Sequence, residues 1–146
     1  MKYEIRLRLG QEWTSSCGLL NDGSGEETYH IEATRADGSF IDISFGNMPD
    51  GETAQDQAFA NYVDSVGFSD EDPEGYNPIA CIKFNGKNAW GFDAYCENDA
   101  PMRLLAQEVK SGMLAVIVFS APDRDSLVDL HLLIEHNLRV QASKAQ

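Results

Sequence analysis

The chain has 146 residues, 42% hydrophobic and 24% charged, which excludes a disordered composition and predicts one domain with its own core over 1–146. Lys and Arg number 11 against 24 Asp and Glu, a formal net charge of −13. That balance disfavours nucleic acid and anionic membrane surfaces, and it favours a basic protein partner or a cation.

Along the chain, Tyr3, Ile5, Leu7 and Leu9 alternate with Glu4, Arg6 and Arg8, the pattern of a strand with one wet face. This start has no uninterrupted apolar run of the kind a signal peptide needs, and no later stretch has the length of a membrane span. A cytoplasmic location is therefore expected. Residues 10–26 lose periodicity and read as a loop, with turn chemistry in Asn21-Asp-Gly-Ser-Gly25 and Trp13 as its anchor to the core. Two strands follow at about 28–35 and 39–46. A three-residue loop Ala36-Asp37-Gly38 sets Ile41, Ile43 and Phe45 opposite Ala33, Ile31 and Tyr29, and leaves His30, Glu32, Asp42 and Ser44 on the polar face.

A helix is predicted over about 53–66. Thr53 and Asp56 form an approximate capping box, Phe59, Tyr62, Val63 and Val66 make the apolar stripe, and Gly67 ends it. The polar loop 69–78 leads into a hairpin, Ile79–Phe84 and Ala89–Cys96. Its Asn85-Gly86 turn is a type I′ signal that puts Cys81 opposite Trp90 and Ile79 opposite Phe92. Residues 101–110 suit a helix by composition, but the short link Ser111-Gly112 favours a strand. Gly112 to Ser120 is a β-branched apolar run buried on both faces, and a helix over 123–139 carries the stripe Leu127, Leu130, Ile134 and Leu138. The expected fold is α+β: a mostly antiparallel sheet of six or seven strands with the two helices on its opposite faces, an α/β/α sandwich.

This layout resembles the PsbP-like sandwich, the superfamily of the extrinsic oxygen-evolving protein of photosystem II and a Ran-GTPase release factor. The resemblance rests on the strand pair ending at Phe45, the helix Thr53–Val66 leading to Gly67-Phe68, and the hairpin Phe84-Asn-Gly-Lys-Asn-Ala-Trp-Gly-Phe92. The last strand and helix, closing on Asn137-Leu-Arg-Val140, complete it. Within the superfamily the chain looks most like a small bacterial family of unassigned function. The resemblance implies a non-enzymatic protein that binds other proteins or sits in a larger assembly.

The candidate binding residues are Asp70, Glu71, Asp72 and Glu74. With Gly75 they look like the opening of a calcium loop, in which carboxylates converge at alternate positions. Pro73 and the presence of Cys81 at the twelfth position depart from that pattern, so a solvated acidic loop or a docking patch for a basic partner stands beside the calcium reading. His131 and His136 are five apart, which turns them away from each other on a helix, and no metal site is predicted. Cys17, Cys81 and Cys96 lack C-x-x-C spacing; Cys81 and Cys96 read as small hydrophobes and Cys17 as the exposed thiol. No base lies near Cys17 in sequence, no nucleophile elbow surrounds Ser24, and no nucleotide motif is present, so no catalytic residue and no cofactor are assigned. The function expected is protein–protein contact through an acidic surface, immunity-type in one version. Small-ligand or calcium binding at 70–75 is the alternative, with a hydrolase as a third reading.

Overall fold

The computed structural model describes residues 3–21, 27–65 and 78–142. The early strands are β1 (Tyr3–Leu7), β2 (Trp13–Asn21), β3 (Glu27–Arg35) and β4 (Phe40–Asn47), and they precede helix α1 (Ala54–Ser65). Then come β5 (Ala80–Phe84), β6 (Lys87–Tyr95), β7 (Pro101–Lys110), β8 (Met113–Ser120), helix α2 (Arg124–Asn137) and β9 (Leu138–Ala142). Seven strands form one antiparallel sheet in the order β2-β3-β4-β8-β7-β6-β5, and β1 pairs separately with β9 as a two-stranded ribbon. The architecture is α+β, with the helices packed on opposite faces.

Alternation along β8 shows how both faces are buried. Ala115, Ile117 and Phe119 join Ile41, Ile43 and Phe45 in a core closed by Leu127, Leu130 and Ile134 of α2. Leu114, Val116 and Val118 point the other way, toward Ala54, Ala58 and Tyr62 of α1. Helix α2 starts at Asp123, whose carboxylate accepts the Ser126 N–H at 2.8 Å, a cap worth about 1 kcal/mol. The expected capping box of α1 is present in both directions: Asp56 N–H donates to Thr53 Oγ1 at 3.1 Å and Thr53 N–H to Asp56 Oδ2 at 2.9 Å.

The register of β3 and β4 is the one the apolar phases predict, with Ile41 opposite Ala33 and Phe45 opposite Tyr29. Gly38 sits at φ 94°, and Asp37 closes the turn by accepting from Arg35 and from the Ser39 N–H. The Arg35 guanidinium holds the Asp37 carboxyl down to about 2. Asn85 and Gly86, at φ 53° and 80°, make the I′ turn, and Cys81 faces Trp90. Ile79 lies just outside that ladder but packs in the same cluster as Phe92. Residues 101–110 are a strand.

Four expectations are corrected. Trp13 is buried in the core, but residues 13–21 form an edge strand instead of a loop. Their side chains are mostly small and exposed, so pairing with β3 leaves no hydrophobic alternation to read. Leu138 stays buried as the first residue of β9, not as part of α2, because its inward side chain lies across from Leu7 on the ribbon. Ala54, Ala58 and Tyr62 are the buried residues of α1, with Phe59 and Val63 only half-buried: small residues let the helix approach the sheet. Cys81 is exposed on the outer strand β5 and does not act as a packed hydrophobe. The expected helix end at Val66 and Gly67 lies outside the described residues.

Candidate functional site

Because β1 pairs with β9 and not with the main sheet, a groove of about 710 Å³ opens between the ribbon and the edge strand β2. That volume falls in the range of small-molecule sites. Its apolar lining comes from Leu7, Leu9, Tyr29 and Ile31, and its hydroxyls and thiol from Ser15, Ser16 and Cys17. Four cationic or titratable side chains complete it: Arg6, Arg8, His136 and Arg139.

The strand register sets this charge. Arg6 and Arg139 stand directly opposite each other on the ribbon, a like-charge cross-strand pair that destabilises a sheet unless something neutralises it. Arg6 has Glu4 at 3.1 Å. Arg139 donates to the carbonyls of Leu138 at 2.7 Å and Glu135 at 3.3 Å, both uncharged acceptors. The Arg8 guanidinium has no hydrogen bond or ion pair among the described residues. On the other side of β9, a recess of about 320 Å³ is lined by Lys87, Lys110 and the same Arg139. In a chain of net charge −13, five of the 11 Lys and Arg thus line these two recesses, with Glu4 against Arg6.

Within the groove, the hydrogen bond to Cys17 raises the Tyr29 hydroxyl above its ordinary value, and burial adds to the effect. What the arrangement does chemically is offer guanidinium donors and hydroxyls to an anionic group, above an apolar floor.

A second polar network lies at the start of α2. Arg103 forks onto Asp93 at 2.6 and 3.0 Å, Arg124 adds a bond of 3.1 Å to the same carboxylate, and Arg103 Nη1 donates to His131 Nδ1 at 3.1 Å. Burial pushes the Asp93 carboxyl up, but the Arg103 and Arg124 contacts more than offset it and the net shift is downward. Burial and then the Arg103 charge lower His131, whose ring also packs edge-on against Phe84 and Phe119. All of these groups are partnered, and the network fastens α2 to β6 and β7.

Asp70, Glu71, Asp72 and Glu74 lie outside the described residues. The three histidines are not gathered: His136 lines the groove, His131 sits under α2, and His30 is on the opposite sheet face. Cys17 is exposed, as expected. The groove arginines escaped sequence reasoning because they come from segments some 130 residues apart. The alternation at Arg6 and Arg8, two cations in an acidic chain, was the available signal.

Comparison with protein-family models finds no match, and comparison with curated proteins finds none. Among solved structures, the chain is similar to a protein from Bacteroides thetaiotaomicron, with TM-score 0.48 and 10% identity over 100% of this chain and 51% of that one. It is also similar to LpqN, described as involved in cell envelope biogenesis of Mycobacterium tuberculosis, with TM-score 0.44 and 14% identity over 95% of this chain and 84% of that one. The chain thus spans about half the length of the first of these neighbours. No helix among the described residues is long and apolar enough to cross a membrane.

Proposed function

We propose that this chain is a binding domain whose site is the groove between the β1–β9 ribbon and β2, and that it holds a small anionic molecule by a carboxylate or phosphate group. The observation that carries this reading is the opposed pair Arg6 and Arg139, with Arg8 beside it, around a cavity in an otherwise acidic chain. An anion between the arginines relieves their repulsion and gains charge-assisted hydrogen bonds, while the apolar floor takes the rest of the ligand. Titration calorimetry with phosphate, pyrophosphate and di- and tricarboxylates tests it. Saturable binding that weakens about tenfold in Arg8→Ala and again in Arg139→Ala is expected. Absence of saturation at millimolar anion, or equal affinity in the variants, rejects the reading.

A second reading is docking of a basic protein partner on the acidic face, immunity-type or otherwise. It is favoured by Asp50, Glu52, Asp56 and Asp64, on α1 and the turn before it, none of which has a Lys or Arg partner among the described residues. Affinity for such a partner falls steeply with salt. Persistence of affinity in Asp56→Asn/Asp64→Asn at low salt speaks against it. A cytoplasmic location and PsbP-like kinship accompany both readings; what supports the kinship is the antiparallel sheet with a helix on each face.

A further inference from the structure

A different set of chemistry-bearing side chains lies on the other face of the sheet from the groove. His30 and Glu32 are two apart on β3 and share that face, and Asp42 stands directly across from Glu32 on β4. Among the described residues, helix α1 covers this face over β6 and β7 and no helix lies over β2–β4. His30 Nε2 is 2.9 Å from Asp42 Oδ1, and His30 Nδ1 is 3.7 Å from Glu32 Oε1. One donor atom from each of the three lies within 4.8 Å of the others. Neither carboxylate has a Lys or Arg partner among the described residues. Across from His30 on β2 is Gly18, where an added Cβ would meet nothing within 4 Å, so the space beside the imidazole is open.

We propose that His30, Glu32 and Asp42 form a binding site for a first-row divalent cation of the zinc or cobalt class, with the remaining coordination positions taken by water. An imidazole nitrogen with two carboxylate oxygens suits these borderline ions, whereas calcium and magnesium prefer all-oxygen shells. Metal–ligand bonds of about 2.0–2.2 Å place neighbouring donors roughly 3 Å apart, the separation the His30–Asp42 pair already has. As placed, Glu32 faces Nδ1 and Asp42 faces Nε2, so one ion on a single ring nitrogen needs the Glu32 side chain, 60% exposed, to rotate toward Asp42. Both strands lie inside the seven-stranded sheet, which fixes the three Cα positions without help from a loop. Two carboxylates balance the charge of a dication, and an adjacent hydroxyl, Ser44, lies across from His30 as a partner for bound water. Without a metal the same three residues make a plain pairing, His30 Nε2 to Asp42 and Nδ1 to Glu32, and the metal titration distinguishes the two arrangements.

Calorimetry and cobalt absorption on protein without a polyhistidine tag, using Zn²⁺ or Co²⁺ alone as the probe, test the proposal. The expected result is one equivalent bound with micromolar affinity. Binding weakens at least about tenfold in His30→Ala and in Asp42→Asn, is unchanged in Cys17→Ser/Cys81→Ser, and is not displaced by millimolar Ca²⁺ or Mg²⁺. The His30→Ala and Asp42→Asn variants keep the wild-type circular dichroism, since neither residue belongs to the buried core. Lack of stoichiometric binding at millimolar Zn²⁺ overturns the site. So does binding that survives His30→Ala or disappears in the cysteine variant.

Discussion

The two ends of the molecule carry opposite charge by different means. At the α1 end, Asp50, Glu52, Asp56 and Asp64 come from one short segment, and α1 itself contains no Lys or Arg. At the ribbon end, Arg6, Arg8 and Arg139 come from segments far apart in sequence and meet because β1 pairs with β9. An acidic surface costs little to make, since local composition suffices and water solvates each carboxylate. A cationic groove in an acidic chain has to be assembled by the fold, and it sets Arg6 against Arg139 in doing so. A feature that the fold must assemble says more about function than one that composition alone supplies. The acidic end is also consistent with solubility alone.

Loosening the ribbon has the largest expected effect. Leu138 is 3% exposed and ties β9 to the main core. Leu138→Ala is expected to cost about 2–5 kcal/mol in urea unfolding and to abolish the groove's anion binding together. A replacement of similar volume, Leu138→Met, is expected to cost less than about 1.5 kcal/mol and to retain binding.

Charge reversal sharpens the contrast without touching the core. Arg8→Glu/Arg139→Glu is expected to lower anion affinity at least about a hundredfold, two charge-assisted contacts being lost at about 1.5–3 kcal/mol each. Thermal stability should hold or rise, since the Arg6–Arg139 opposition is removed.

Acid acts on the α2 network. The His131 pKa is lowered in the fold, so the unfolded chain binds a proton that the folded one refuses. Stability therefore falls as pH drops below the ordinary histidine value of about 6.5. Asp93, also lowered, contributes stability above the ordinary Asp range, and that contribution is lost as pH falls further. His131→Asn keeps an acceptor for Arg103 without a titrating ring and is expected to reduce the decline between pH 7 and 5, measured by urea midpoint. A profile unchanged by the substitution removes His131 as its cause.

The smallest effect belongs to the acidic end. Neutralising Asp50, Glu52, Asp56 and Asp64 to the corresponding amides is expected to change anion affinity in the groove by less than about twofold, because the Debye length near physiological salt is about 8 Å. The Asp56→Asn member weakens the α1 capping box by a few tenths of a kcal/mol.

Much of the fold was legible from local physics. The β3–β4 register followed from matching apolar phases, the β5–β6 hairpin from Asn85-Gly86, and the central strand from the continuous run Met113–Phe119. Strands β2 and β9 were hidden for a common reason: each owes its conformation to a partner strand. Ser15, Ser16 and Gly18 bury too little to imprint a period, and Leu138 extends the helical stripe of α2 in sequence. The groove was hidden with them, since a site bounded by β1, β2 and β9 cannot be seen while two of the three are unassigned. The surface triad was half visible: the hairpin phase already put His30, Glu32 and Asp42 on one polar face, but cross-strand distance had to come from the structure.

Anion binding at the ribbon groove is tested most directly by amide and arginine Nε–Hε correlation spectra, recorded while phosphate or citrate is titrated in. Saturable shifts confined to β1, β9, residues 15–17 of β2, and the side chains of Arg8 and Arg139 are expected. Shifts spread over every exposed Lys and Arg in proportion to ionic strength, or none at the two groove arginines, would contradict it.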